Sequence, residues 1–339
     1  MNYKIIISII AGCFFVLIFL FVIWASSNAV LENIACKFKN TEYKLQPTNE
    51  LKIMSWNIGY ASGLTNNTSR KLSFDNYTQN LSVIKTAIKS EKPDIVTLQE
   101  VDYGSNRSYK IDESNFIYDG IFENTIDCAN WNLNYIPFPY WPISSHFGRM
   151  FSGQSTFSKL QIEKHEKFIF EKPKANGKIY NLFYIDRMAL ITKINIGFSN
   201  RPLILVNVHL EAFDVQTRMN QAKQLISDLE KYKNFPIIII GDFNMLPTNA
   251  SRKNNFQDEP EADFTNDQTY EILKSKFKTI YQEKDDFLTF PSNGPTRQLD
   301  HVFYNEYIEP SGFRVLDQVG GESAPSDHLP IVFKFRIGL

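Results

Sequence analysis

Cysteine is scarce in this sequence, with three in 339 residues. Cys13 falls inside a long apolar run, which leaves Cys36 and Cys128, too few and too far apart for a disulfide framework. They read equally well as one pair in an oxidising compartment or as two free thiols, and no thiol spacing suits a zinc or iron–sulfur centre. Charge of one sign is lacking too. With 36 Lys and Arg against 37 Asp and Glu the chain carries −1, so no bulk positive field draws a polyanion across a long surface. That argues against a scanning or processive nucleic-acid role, while leaving room for a local basic cleft. No internal repeat or low-complexity tract is present.

Aromatic residues are abundant. The 28 Phe and 16 Tyr suit a thick sandwich core and an aromatic-rimmed cleft. Ile5 to Trp24 is an almost uninterrupted apolar run. About 20 such residues rising 1.5 Å each cover the hydrocarbon core of a bilayer. A secretory apolar region is shorter, about 7–15 residues, so residues 1–29 read as a retained single-pass anchor. Cleavage after Ala29, at Ser27-Asn28-Ala29, is the competing reading and would make the protein secreted. Lys4 precedes the run and Lys37 and Lys39 follow it, so the charge bias is weak. A short N-terminal tail stays inside, and the rest of the chain is then expected outside the cytoplasm. Residues 30–50 read as a polar linker, and residues 51–339 as one large domain.

Within that domain strand and helix patterns alternate. Leu51 to Trp56 alternates as a strand, and Asn80 to Ser90 sets Leu81, Ile84 and Ile88 on one helical face before Pro93 breaks it. Ile95 to Leu98 is a short buried strand. Asp102 to Arg149 is a long polar and aromatic stretch with several prolines, expected to be a functional loop system or an insertion. Tyr184 to Ile194 and Arg201 to His209 read as adjacent strands turning at Gly197 to Asn200. Gln216 to Tyr232 is an amphipathic helix. Ile237 to Ile240 has the continuous β-branched character of a central strand buried on both faces. Residues 249–268 read as a solvated acidic loop, and Leu299 to Tyr304 and Leu329 to Phe335 as closing strands. This order argues a layered α/β sandwich.

Each of these strands runs into an acid, an amide or a histidine. Asn57 follows the first, Glu100 the second, His209 a later one, Asp242 and Asn244 the isoleucine run, and Asp300, Asp327 and His328 lie near the end. Strand ends gather at one sheet edge, where ligand sites form. Oxygen donors without thiolates suit a hard ion such as Mg²⁺, with Mn²⁺ as a substitute. Any one of these residues taken alone is more often a turn, a cap or a surface acid. Their order and spacing together carry the signal.

Ser55-Trp56-Asn57, Leu98-Gln99-Glu100-Val101, Asn207-Val208-His209, Gly241-Asp242-Phe243-Asn244, Leu299-Asp300-His301-Val302 and Ser326-Asp327-His328-Leu329-Pro330 resemble, in order, the motifs of the endonuclease/exonuclease/phosphatase superfamily. The resemblance runs from about Leu51 to Phe335. It implies a four-layered α/β sandwich, two packed mixed sheets flanked by helices, and a phosphoric ester hydrolase. It also implies that Glu100, Asn57 and Asp327 hold Mg²⁺ and that Asp242 positions or deprotonates the attacking water. Asn244 would bind a phosphate oxygen, Asp300 would orient His328, and His209 would donate to the phosphoryl group or the leaving oxygen. Arg187 falls where a basic residue faces the cleft in the family, although a surface strand arginine reads as well. Gly153 to Ser158 stands in place of a Gly-x-Ala-x-x-Ser strand and departs from it at the alanine, which leaves the partner of His209 open.

The superfamily does not settle the substrate. An aromatic, sparsely basic stretch beside an anchor suits a phospholipid or glycophospholipid headgroup better than duplex DNA, which calls for a stripe of Lys and Arg. An extracytoplasmic nuclease acting on DNA or RNA is the first alternative. A catalytically silent, membrane-displayed binding module is the second. No protein partner is implied.

Overall fold

The computed structural model describes residues 3–27, 36–41, 50–66, 68, 70–197, 201–280, 284–317, 319 and 324–338. The chain opens with α1 (Tyr3–Ala25), β1 (Cys36–Lys39), β2 (Leu51–Asn57), α2 (Phe74–Glu91), β3 (Ile95–Asp102) and α3 (Glu113–Tyr118). Next come β4 (Asn124–Ile136), β5 (Gly148–Ser158), β6 (Ile162–Ile169), α4 (Lys178–Phe183), β7 (Met188–Ile194) and β8 (Leu203–His209). The last third holds α5 (Val215–Leu229), β9 (Ile237–Asp242), α6 (Thr269–Lys274), β10 (Lys278–Thr279), β11 (Asp300–Tyr304), β12 (Ile308–Val315) and β13 (Ile331–Ile337).

The strands form a seven-stranded sheet, β1-β4-β5-β3-β2-β13-β12, and a six-stranded sheet, β10-β11-β9-β8-β7-β6. Side-chain parity explains how they pack, since successive residues of a strand face opposite ways. In β9, Ile238 and Ile240 join the core between the sheets, with Ile53, Ile95, Leu205 and Phe333. Ile237 and Ile239 face outward against Leu225 and Leu229 of α5. A run of four isoleucines is therefore required, because both faces of β9 are covered. On the far side α2 lays Leu81, Ile84 and Ile88 over Trp56, Val96 and Leu98. The layers are helix, sheet, sheet, helix: the four-layered α/β sandwich expected from the sequence.

Several local expectations need correction. The stretch from Asp102 to Arg149 is no open loop; it contains α3, the 13-residue β4 and the first residues of β5. Its polar residues misled because they are satisfied inside: Asp127 Oδ1 accepts from Ser114 Oγ at 2.5 Å and from Ser155 Oγ at 2.7 Å. The strand read from Tyr184 begins at Met188, after α4. Residues 249–268 are not simply solvated, since Phe256 and Phe264 are buried with Leu246 and Leu299, and Asp258 and Glu259 pair with the buried Arg297. Helix α2 starts at Phe74, six residues earlier than read, with Ser73 capping it by accepting from Asn76 N.

Within the expected linker, Cys36–Lys39 form an edge strand on β4, and Cys36 is disulfide-bonded to Cys128, a cross-link closing 92 residues. Helix α1 is 23 residues of apolar sequence, exposed from Tyr3 to Phe21, and long and apolar enough to cross a membrane. Asn28 and Ala29 of the possible cleavage site and 198–200 of the expected turn lie outside the described residues.

Candidate active site

The inner faces of the strands turn polar toward one edge. Along β8 the inward series runs Leu203, Leu205, Asn207, His209, and along β9 Ile238, Ile240, Asp242; in β2 it is Leu51, Ile53, Ser55, Asn57. Register then lines these ends up. His209 pairs with Asp242, Asp242 with Asp300, and Met188, next to Arg187, with His209. Residues paired across a sheet point to the same side, so one row of chemistry crosses three strands. Gln99 and Asn207 clasp the two sheets behind it at 2.7 Å. Gly241 is required there, because at its φ of +146° a Cβ would sit 2.1 Å from the Val208 carbonyl oxygen.

Glu100 arrives differently. It lies in the irregularity of β3 between Leu98 and Val101, with φ +53°, a left-handed conformation costly for a glutamate. That bulge turns the Glu100 carboxylate toward Asn57 Nδ2, 3.3 Å away, while the same amide donates to Asp242 Oδ2 at 2.9 Å. Asp327 and His328 come from the segment before β13. Ser326 Oγ donates to the Asn57 carbonyl at 2.7 Å and accepts from His328 N at 3.1 Å, and Trp56 Nε1 donates to the His328 carbonyl at 2.9 Å. Two distant pieces of chain are thereby fastened to one another.

Asn66 Nδ2 bridges Glu100 Oε2 at 2.9 Å and Asp327 Oδ2 at 3.3 Å. Burial, with the Glu100 charge adding to it, pushes the Asp327 carboxyl up to about 6. Two acids held against one neutral amide, with Asn57 adjoining, form an oxygen-donor set that fits a hard divalent cation. Asp242, Asp300 and His328 also bring ligand atoms within 4.8 Å of one another, but His328 Nδ1 is committed to Asp300 Oδ2 at 2.8 Å. The Glu100 side is the better cation seat.

Burial raises Asp242 to about 7 against the opposing charge of His328. Burial alone would lower His328, but Asp300 and Asp242 outweigh it and hold the ring up to about 10. It is an imidazolium, its Nε2 facing Asp242 Oδ2 at 3.7 Å. His209 is pushed far the other way, by burial and then by Arg187 and His328. Arg187 Nη1 bonds to His209 Nε2, and a guanidinium only donates, so that nitrogen is unprotonated. A neutral His209 accepting from Arg187 is ill placed to protonate a leaving oxygen through Nε2.

All nine residues singled out in the sequence converge. Arg187 is buried, not a surface arginine, and its Nε lies 3.9 Å from Glu211 Oε2. Asn244, in the left-handed region at φ +51°, donates to Asp242 Oδ1 through its backbone and to the Leu210 carbonyl through its side chain, leaving a second amide hydrogen for a ligand. Ser155, of the segment that departs from the family strand, bonds Asp127, and His209 takes Arg187 instead. Sequence reasoning gave no site role to Asn66, Glu211 or the Tyr60–Arg107 stack, whose guanidinium lies 3.3 Å above the ring. Asn66 and Tyr60 carry no local signal, whereas Arg107 and Glu211 stand in the Arg107-Ser108-Tyr109 and His209-Leu210-Glu211-Ala212-Phe213 segments, which look similar to those of other members of the superfamily. A cavity of about 620 Å³ between α2 and β12 holds none of these groups.

Comparison with known proteins places the chain in a family. A probable 3'-5'-exoribonuclease subunit Ccr4 of the CCR4-Not complex from Vairimorpha ceranae is 32% identical over 177 residues, which cover 45% of this chain and 36% of that protein. The chain thus spans about a third of that relative's length. Among solved structures, the human Nocturnin catalytic domain superposes with a TM-score of 0.57 at 19% identity, covering 89% of this chain and 97% of that one. A mannosyl-6-phosphatase from Bacteroides thetaiotaomicron gives 0.56 at 17% identity, covering 84% and 99%. The model of the Endonuclease/Exonuclease/phosphatase family matches residues 54–328. The chain belongs to that family of hydrolases acting on phosphoester bonds.

Proposed function

We propose that residues 51–339 form a Mg²⁺-dependent phosphodiesterase, that residues 1–29 hold it at a membrane, and that its substrate is a phospholipid or glycophospholipid headgroup. The observation carrying the reading is the meeting of three devices at one sheet edge: the Glu100–Asp327 acid pair, the Asp300–His328 ion pair and the Arg187–His209 pair. The lipid preference rests on the apolar α1 and on a net charge of −1.

Glu100, Asp327 and Asn57 would hold the cation, and Mn²⁺ suits the same oxygen donors. A cation held there would supply Lewis-acid polarisation of a phosphoryl oxygen. Asp242, whose carboxyl burial raises to about 7, takes in its ionised form the proton of the attacking water as the water oxygen bonds to phosphorus. The ester P–O bond opposite breaks with its electron pair leaving on the alcohol oxygen, which takes a proton from solvent, while the His328 imidazolium donates a hydrogen bond through Nε2 to a non-bridging phosphoryl oxygen. Asp300 keeps that ring charged and oriented. Arg187, held by His209 and Glu211, supplies a fixed positive charge for a non-bridging oxygen, and Asn244 an amide hydrogen.

A specific observation favours a second reading: the relative from Vairimorpha ceranae is named an exoribonuclease. A substrate panel on the full chain separates the readings. Phospholipid vesicles, single-stranded RNA, plasmid DNA and an aryl phosphodiester are each incubated with and without Mg²⁺. Headgroup release from vesicles that requires Mg²⁺ supports the lipid reading. Shortened RNA beside untouched vesicles replaces it with the nuclease, and failure on all four substrates leaves a silent binding module.

A further inference from the structure

The geometry points to a second membrane-binding element: an exposed apolar surface, formed by the β4–β5 connection, α4 and Phe213, that seats the rim of the active site on the bilayer. This rests on reading α1 as a membrane helix, and it holds whichever phosphoester is cleaved.

Helix α1 meets the folded domain near its last turn. Tyr3 to Phe21 are exposed, and near the end of the helix the partly exposed rings of Phe21 and Trp24 lie against Tyr135 at 5.8 and 6.3 Å. Asn134 Nδ2 donates to the Trp24 carbonyl at 3.0 Å and to Ser27 Oγ at 2.7 Å. A helix inserted in a bilayer and fastened to its domain at that end brings the surface around Tyr135 to the membrane interface.

That surface is apolar. Just past β4, Tyr140, Trp141 and Ile143 are 70%, 78% and 63% exposed. They are not loosely held. The inner side of the connection packs Phe138 and Phe147 on Leu133 and Ile136, Tyr135 bonds His146 at 2.8 Å, and Phe147 N donates to the Phe138 carbonyl at 2.8 Å. Helix α4 adjoins it, with Phe183 in the same small core and its carbonyl accepting from Trp131 Nε1 at 3.0 Å. Ile179 and Leu182 of α4 are exposed, with Lys178 beside them.

The surface leads to the chemistry. Tyr184, at the end of α4, donates to Glu211 Oε1 at 2.6 Å, the same oxygen accepts from Phe213 N at 3.0 Å, and Glu211 flanks Arg187. Phe213 is itself 75% exposed. Trp and Tyr at the level of the headgroups, with lysine at the margin, match the chemistry of a phospholipid interface, and continuity with α1 favours a bilayer over a protein partner.

The test uses the full chain with Cys13→Ser, reconstituted in phosphatidylcholine vesicles, with a nitroxide placed singly through Phe19→Cys, Trp141→Cys or Lys89→Cys. The Cys36–Cys128 disulfide leaves no competing thiol. Lys89 is exposed in the last turn of α2, which leads into the end of β3 that aligns with Asn124, the end of β4 away from Ile136. Collision with oxygen relative to a water-soluble nickel chelate is measured for each label. The expected ratio is highest at 19, several-fold above the value for 89 at 141, and aqueous at 89. A label at 141 matching 89 while 19 is in the acyl region overturns the seating surface and leaves the anchor intact. An aqueous label at 19 overturns the anchor, and the surface with it. Spin–spin broadening at 141 with no oxygen preference assigns the patch to a second copy of the chain and equally overturns it.

Discussion

Replacing Asp300 with asparagine removes a charge while keeping the volume and one acceptor oxygen. In the folded protein Asp300 Oδ2 lies 2.8 Å from His328 Nδ1, both side chains are buried, and Asp300 Oδ1 has no hydrogen-bond partner among the described residues. The carboxylate therefore acts mainly on one ring. Losing one charge-stabilising donor in an active site costs about 2.7–4 kcal/mol of transition-state stabilisation. At about 1.4 kcal/mol per decade this is roughly a 10²–10³-fold fall in kcat if the imidazolium is what stabilises the reacting phosphate. The pH profile carries the sign. His328 is held up to about 10, so its charged form persists across the neutral range. In Asp300→Asn burial is opposed only by the charges of Asp242 and Asp327, the ring loses its proton at lower pH, and the alkaline limb of the rate profile moves to the acid side. The assay is Mg²⁺-saturated hydrolysis of an aryl phosphodiester, with far-UV circular dichroism melts to verify the fold. His328→Gln should cost about as much, and the double variant little more than the worse single one. A loss under tenfold, or losses that multiply, refutes the pair as a catalytic unit.

Glu100→Gln should reduce the rate by about 10²–10³-fold with an unchanged melt; retained activity would remove Glu100 from the cation seat. Asn66→Ala should weaken the apparent Mg²⁺ affinity about 10–100-fold with a smaller effect on the rate at saturating Mg²⁺, and an unchanged Mg²⁺ titration would contradict its bridging position. Burial raises Asp127 to about 6 from an ordinary 3.8. An acid raised on folding is favourable when protonated, so stability is greatest below the ordinary value and falls as pH climbs through the raised one, by about 3 kcal/mol. Urea melts should show this fall flattened in Asp127→Asn, whose amide still accepts from Ser114 and Ser155; an equal slope in both proteins would count against it. Reducing the Cys36–Cys128 cross-link, which closes 92 residues, should lower stability by up to about 4–5 kcal/mol on chain entropy. An unchanged melt would mean that β1 detaches on its own.

The sequence by itself determined the layered fold and named the residues that the fold gathers at one sheet edge. The parity of Ile237 to Ile240 demanded cover on both faces, and the polar residues closing the inward series of β2, β8 and β9 are local facts of strand alternation. Tertiary structure decided everything that depends on what lies opposite. Asp127 and Asn130 made β4 look like a loop because a sequence cannot show that Ser114, Ser155 and Asp186 will satisfy them. Asn66 stands in a turn with no pattern of its own, yet the fold brings it between Glu100 and Asp327, 34 and 261 residues away. Arg187 and His209 carry ordinary ionisation in isolation. Only when one guanidinium is buried against one imidazole does the histidine become a neutral acceptor, since desolvation and Coulomb forces act through space and have no counterpart along the chain.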